Sequence, residues 1–337
     1  MNFAGESYWN ATASATAFPQ LAGDVEVDIA IVGGGIVGAT AARALKDAGL
    51  TVAVVEARRV GRQVTGKSTA KITSQHSLIY QKLDKAFGRS SARLYAQAQE
   101  AGLRKIQALV KQYDIDCSFE PKSAFAYTTN AESVEQIEKE LDFALEFGLP
   151  AALVHETDLP FEVAAALRFD NQAQFHPTRY IGGLVGTIPG AGSHVFEESR
   201  VVEWEPQRIR TERGSVRAKH VVFATHLPLG QVGGYYAMAH PHAEPVVAAK
   251  LRRAPNEMYI SVDRPTRSIR THRANDGSIY AIAVGNSFKP GHPQAQREAF
   301  EGLESWLKHN FDARPIEYRG STKTTQPWTA RRLSAGH

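Results

Sequence analysis

The chain has 337 residues, with 39 Lys+Arg against 35 Asp+Glu, 43% hydrophobic and 22% charged residues, and one cysteine. That mixture excludes a disordered or collagen-like chain, and Cys117 alone cannot build a disulfide framework or a multi-cysteine metal or iron–sulfur site. The formal charge of +4 is spread over isolated doublets such as Arg58-Arg59 and Arg252-Arg253, so a solvated surface is expected and no nucleic-acid partner.

Met1 to Gln20 lacks a basic start followed by an apolar run, so it is not read as a signal peptide. The most apolar window, Val27 to Leu45, contains Asp28, Arg43 and four glycines, too polar for a transmembrane segment. A soluble cytoplasmic protein of about two domains is expected.

Val25 to Val32 is rich in β-branched residues and runs into Gly33-Gly34-Gly35-Ile36-Val37-Gly38. A helix over Ala39–Ala48 ending at Gly49, then a strand over Thr51–Val55, completes a βαβ unit and implies a parallel sheet. Residues 80–112 read as one helix with Leu83, Leu94, Ile106 and Leu109 on its apolar face. A strand pair follows at Cys117–Thr129, a helix at Ala131–Glu146, and a strand at Ala165–Phe169. Pro177 can open a helix over His176–Thr187. Short strands follow at His194–Phe196, Val201–Trp204, Ser215–Ala218 and Val221–Ala224. Farther on come strands at Tyr259–Val262 and Ser278–Val284, with Asn275-Asp276-Gly277 as a hairpin turn between them, and a helix at Pro293–His309. The fold class is α/β, α+β overall: a Rossmann-like domain interleaved with a mostly antiparallel-sheet domain.

Gly33-x-Gly35-x-x-Gly38 carries the first chemistry. Gly33 permits the tight strand-to-helix turn, Gly35 lets backbone approach a pyrophosphate, and Gly38 lets helix and sheet pack closely. Glu56, 23 residues past Gly33 at the end of the next strand, suits the hydroxyls of an unphosphorylated ribose. The apolar strand Val221–Phe223 stopping at Ala224-Thr225 is a small-residue corner that leaves room for a dinucleotide. Together these features favour FAD over NAD. Hydroxyls at Thr65, Ser68 and Thr69 suit hydrogen bonds to phosphate and ribitol.

Tyr8-Trp9, Phe18-Pro19 and Asp28–Gly38 resemble the N-terminus of the FAD-dependent amine and D-amino-acid oxidoreductases, such as glycine oxidase and D-amino-acid dehydrogenase. The phrases Val64–His76, Phe169–Pro177, Ala224-Thr225-His226 and Pro265–Thr271 are similar to a bacterial subgroup in which the flavoprotein module precedes a Rieske domain. The resemblance implies bound FAD and oxidation of a C–N bond of a small amine or amino acid by hydride transfer, with an unspecified electron acceptor. It places Gly33, Gly35, Ile36, Val37 and Gly38 at the pyrophosphate, Glu56 and Ala57 at the ribose, and Arg58 and Val201 near the adenine. It also carries Thr65, Ser68, Thr69 and Lys71 under the pyrophosphate towards the isoalloxazine.

Four residues are candidates for the chemistry itself. Lys71 can act as a cation near the flavin, and His176 as a base or helix cap. Arg267 and Arg270 can hold a substrate carboxylate, although a spacing of three on a strand puts them on opposite faces. His240-Pro241-His242 lacks a completing ligand, and no metal site is expected.

The implied domains are an FAD-binding unit of 1–80, 170–228 and 285–337, and a substrate unit of 81–169 and 229–284. The Cys/His pairs of a Rieske domain are missing from this sequence. Relatives continue beyond Tyr318-Arg319 into a strand, a helix and a flavin-closing motif, whereas here Gly320 to Thr329 does not read as that continuation. A shortened, catalytically incompetent FAD- or ADP-binding protein is therefore the alternative reading, with an exposed sheet edge.

Overall fold

The computed structural model describes residues 5–226 and 239–327. A short turn of helix, α1 (Tyr8–Ala11), precedes the βαβ unit of β1 (Gly23–Val32), α2 (Ile36–Asp47) and β2 (Val52–Val55). Alternating burial of Ile29, Ile31 and Ala30, Val32 puts apolar side chains on both faces of β1, as a parallel strand covered on both sides requires. A two-residue strand β3 (Lys71–Ile72) leads to α3 (Ile79–Phe87) and α4 (Arg89–Gln112). The single helix expected over 80–112 is thus two helices, because Gly88 adopts φ +81° between them. Leu94 is 67% exposed, not on the apolar face. It lies nine residues, or two and a half turns, from buried Leu103 and so projects the opposite way.

Next come β4 (Glu120–Thr128), α5 (Val134–Glu146), β5 (Ala151–Val154), β6 (Ala165–Gln174) and α6 (Pro177–Gly186). The strand pair expected at 117–129 is one strand, β4, whose antiparallel partner is β6. Then follow β7 (His194–Phe196), β8 (Val201–Glu205), β9 (Arg208–Thr211) and β10 (Gly214–Phe223), the last fusing two expected strands. The C-terminal third supplies β11 (Ala239–Lys250), β12 (Met258–Ser261), β13 (Arg267–Arg273), β14 (Ile279–Gly285), α7 (Pro293–Phe311) and β15 (Tyr318–Pro327). The turn at Asn275-Asp276-Gly277 joins β13 to β14, since β13 separates β12 from β14.

Two sheets result. The six-stranded sheet has the order β7-β2-β1-β10-β9-β8, with β1 parallel to both β2 and β10 and with β8 and β9 antiparallel. The nine-stranded sheet runs β15-β11-β14-β13-β12-β4-β6-β3, with β5 on β6. Segment 285–337 was expected with the nucleotide-binding unit, but α7 packs on β11 and β14 and β15 pairs with β11. The described part of that segment therefore builds onto the large sheet. Residues 320–327, which did not read as a strand, are strand through this pairing, and β15 lies at the edge of the order among the described strands. Among the described residues no helix is long and apolar enough to cross a membrane.

Candidate functional site

Three strand ends converge on Gly33. Its N–H donates to Val55 O at 2.9 Å, and Ala224 N–H donates to Val32 O at 2.8 Å. At Gly33, φ is +110°, and a Cβ there would lie 2.5 Å from Ala224 O. The glycine thus answers both a backbone conformation and the approach of the third strand. Small residues at 224–225 are what let that strand pass.

The helix α2 starts at this junction with Gly35 as N-cap and no side-chain cap. Ile36 N–H meets Thr65 Oγ1 at 3.2 Å. The other first-turn amides are the unsatisfied donors that every helix N-terminus carries, and they add to the positive end of its dipole. Val37 is 66% exposed at this tip, so the surface is open to a phosphate-bearing ligand. Gly38 sits behind it, where a Cβ would overlap Gly33 O.

Glu56 is fixed by Gly34 N–H on Oε2 at 2.8 Å and Arg58 N–H on Oε1 at 2.9 Å. One bond per oxygen leaves acceptor capacity on each for vicinal hydroxyls. A cavity of about 380 Å³ opens here, lined by Gly33, Gly35, Ile36, Val37, Glu56 and Ala57. Across it lie Thr65, Val201, Ala224 and Thr225. Arg59 and Arg200 line it rather than Arg58, whose side chain is exposed.

Glu197, which the sequence reading passed over, holds this rim. It is fully buried and accepts from Val60 N–H at 2.8 Å, Phe18 N–H at 3.1 Å, Arg59 Nη1 at 2.9 Å and the Thr16 hydroxyl. Burial alone would raise its pKa, but the hydrogen bonds from Thr16, Val60, Arg59 and Phe18 outweigh it and hold the carboxyl below its usual value.

A second cavity of about 340 Å³ shares Ile36, Val64 and Thr65 with the first, so the two lie side by side along one trough-like line. Its walls are Ser68, Ala70, Lys71, Ile72 and Thr73, facing α4 and Phe175. Lys71 Nζ donates to Tyr259 O at 2.6 Å and to Ser268 Oγ at 2.8 Å. Burial and, secondarily, the Arg270 charge hold its pKa well below the usual lysine value. Thr69 lines neither cavity and turns its carbonyl to Arg270.

Arg267 and Arg270 do point to opposite faces of β13. Arg267 donates to Asn286 Oδ1 beside Trp306, on the α7 side. Arg270 is fully buried on the other side and donates to three backbone carbonyls, those of Thr69, Thr271 and Phe175. They form no paired clamp. His176 is the N-cap of α6, with Nδ1 accepting from Arg179 N–H at 3.3 Å and Nε2 3.0 Å from Thr12 Oγ1. An accepting Nδ1 makes Nε2 the protonated nitrogen, so neither nitrogen is open to a substrate. Burial, then the charges of Arg179, His272 and Arg270, push its pKa down to about 3.

That depression has a sign. Between an unfolded pKa near 6.5 and about 3, the unfolded chain binds the proton that folded His176 refuses, so stability falls as pH falls through this window. His176→Asn keeps a cap acceptor without the titration. Urea unfolding of the variant should show a flatter acid limb, by up to about 1.4 kcal/mol per pH unit in that window. An unchanged limb would assign the acid sensitivity elsewhere.

The parallel βαβ sheet with an antiparallel extension, a glycine turn at its carboxyl edge and an acid on the second strand define a dinucleotide-binding flavoprotein fold. The model of the DAO family, described as FAD dependent oxidoreductase, matches residues 28–333, and the chain belongs to that family. It is 31% identical over 326 residues to the Rieske-named 2Fe-2S protein YhfW of Bacillus subtilis, covering 95% of this chain and 64% of that one. It is 28% identical over 234 residues to gamma-glutamylputrescine oxidoreductase of Escherichia coli, covering 66% of this chain and 55% of that one. The chain thus spans under two thirds of either relative's length. Similar solved folds are L-amino acid deaminase of Proteus myxofaciens (TM-score 0.73, 13% identity, 94% and 84% of the two chains) and glycine oxidase of Geobacillus kaustophilus (TM-score 0.69, 18% identity, 90% and 83%). FAD is the cofactor of this family. The residues present fit it: a glycine cradle that a Cβ would fill, an uncapped helix N-terminus and a braced acid. Among the described residues no cluster of three or more His, Cys, Asp and Glu is placed to hold a metal ion.

Proposed function

We propose that this chain binds FAD along the trough and oxidises a C–N bond of a small amine or amino acid. The observation that carries the reading is that the fingerprint cavity adjoins the one reaching Lys71 and Thr73, with Ile36, Val64 and Thr65 lining both. Amine chemistry draws support from the gamma-glutamylputrescine oxidoreductase to which the chain is similar. The α2 N-terminus and Gly35 would hold the pyrophosphate, Glu56 the ribose, and the backbone of Val201 the adenine edge. Thr65 and Ser68 would supply hydroxyls farther along. When bound, FAD supplies the hydride acceptor.

The protein must then present a neutral amine, and Lys71 is suited to that. A neutral lysine has two N–H groups, both directed here at Tyr259 O and Ser268 Oγ, and one lone pair left to take a proton at Nζ. Burial, and secondarily the Arg270 charge, shift Lys71 towards that neutral form. Lys71→Met should slow substrate-dependent flavin reduction about a hundredfold at neutral pH, with rescue at high pH where the amine is already deprotonated. Stopped-flow mixing without oxygen measures this, and a slow rate that pH does not restore would remove Lys71 as the base. The reading as a whole is tested by FAD titration of the purified chain, then anaerobic mixing with a panel of amines and amino acids. Bleaching of bound flavin is expected. Bound flavin that no donor reduces would favour the catalytically incompetent alternative, and no binding at all would refute the FAD reading.

A further inference from the structure

The leader before β1 is tied to the back of the cofactor loop. Ser7 Oγ donates to Gly66 O, Trp9 Nε1 to Ser68 O at 2.8 Å, and Asn10 Nδ2 to Arg62 O at 3.0 Å. Arg62 returns its guanidinium to the carbonyls of Asn10 and Ala13. The next carbonyl of the loop, Thr69 O, takes Arg270 Nε at 2.6 Å, while Arg270 Nη2 holds Phe175 O at 2.6 Å. The Trp9 ring lies 4.5 Å from the Arg270 guanidinium carbon, so the two donors brace each other. Contact is close enough that a Cβ on Gly66 would overlap Asn10 Oδ1.

None of Ser7, Trp9, Asn10 or Arg270 lines either cavity, whereas Thr65 and Ser68 do. The donors therefore draw carbonyl oxygens 66, 68 and 69 away from the trough. An anionic ligand is repelled by carbonyl oxygens and attracted by N–H and hydroxyl groups, so this orientation decides whether the loop can bind it. A fully buried arginine facing carbonyls rather than a carboxylate has the same logic. Its charge is anchored by backbone, and its field reaches the trough.

We propose that Trp9 and Arg270 are positioning residues for the FAD-contacting loop, acting through the Ser68 and Thr69 carbonyls. The proposal rests on the FAD reading above. It makes the leader part of the cofactor site, and it gives Arg270 a role other than holding substrate.

The test compares the wild-type chain with Trp9→Phe, Ser7→Ala and Arg270→Lys. Phenylalanine keeps a ring beside Arg270 but removes the Nε1 donor together with part of the indole, and lysine keeps an amine donor but cannot span residues 69 and 175. FAD affinity is read by titration, the apoprotein Tm by scanning, and the loop's grip by the visible absorption and circular dichroism of bound flavin. Trp9→Phe should raise the FAD Kd about five- to tenfold, as expected for one lost hydrogen bond. The flavin spectrum should change, and the apoprotein Tm should fall only by the several degrees that a smaller ring in this fully buried site costs. Arg270→Lys should weaken binding further, and Ser7→Ala less. Equal affinity and an unaltered spectrum in Trp9→Phe would overturn the proposal. So would a loss of affinity with an unaltered flavin spectrum, which would mark the contacts as structural only. Absence of FAD binding by wild type would overturn both readings together, while equal binding by wild type and Trp9→Phe overturns this one alone.

Discussion

Gly38→Ala should abolish FAD binding while leaving a folded chain. The added Cβ overlaps the carbonyl oxygen of Gly33, a backbone atom with no flexible end to yield. Gly33 cannot retreat, because its N–H is tied to Val55 O and its other flank meets Ala224 O. The strain has one outlet, a shift of the α2 N-terminus out of the cavity, and that shift removes the amides that face the pyrophosphate. Overpacking of this kind costs about 1–3 kcal/mol of stability, which a chain of this size tolerates. The misplaced helix tip costs more, since aligned phosphate contacts fail together. Titration with FAD should show no saturable binding, whereas circular dichroism should retain a cooperative melt. Binding within about tenfold of wild type would mean that the turn is more pliant than its packing indicates.

Glu197→Ala should lower stability by about 2–4 kcal/mol and empty the cavity rim of its order, because two backbone N–H groups lose their acceptor. The carboxylate is fully buried and joins the leader at Thr16 and Phe18 to the turn at Arg59-Val60. Alanine strands two backbone N–H groups and loosens Arg59 from the cavity edge. Glu197→Gln separates charge from shape, since one amide oxygen still accepts. Because the folded pKa is depressed, the wild type's advantage over Gln is full above the unfolded pKa of about 4.5 and is lost as pH falls through the lower folded value. Denaturant titrations of the three proteins at neutral pH and near pH 3 should show that convergence. A constant gap across pH would assign the effect to packing.

The nucleotide-binding core was legible because local chemistry dictates it. A β-branched run, a glycine turn and an acid after the next strand have few alternative foldings, and all three fall where the spacing put them. The helix at 177–186 was equally readable from Pro177 and its cap His176. The large sheet was harder. Pro241 and Pro245 argue against a strand, yet β11 carries both in the stretch that pairs with β15, before its pairing with β14 begins at Val246. The threonine-rich β15 has no alternating pattern and becomes strand only through pairing with β11. At the site, Glu197 in a Glu-Glu-Ser run reads as surface. Its buried role depends on residues nearly 140 and 180 positions away in the chain. Arg270 was visible as a cation but not its surroundings, because carbonyl partners leave no trace in side-chain identity.

The leader has a consequence for the order in which this molecule matures. Tyr8 packs edge-on against Tyr318 with ring centroids 5.2 Å apart and also contacts Tyr280 and His272. Tyr8 therefore finds its seat only among residues far downstream of it in the chain. The βαβ unit can assemble from neighbours in sequence, but the loop that the leader braces must wait for β13, β14 and β15. Cofactor affinity is then a late property of folding. In refolding, recovery of the six-stranded sheet should precede tight FAD uptake, with the seating of the leader as the step between them.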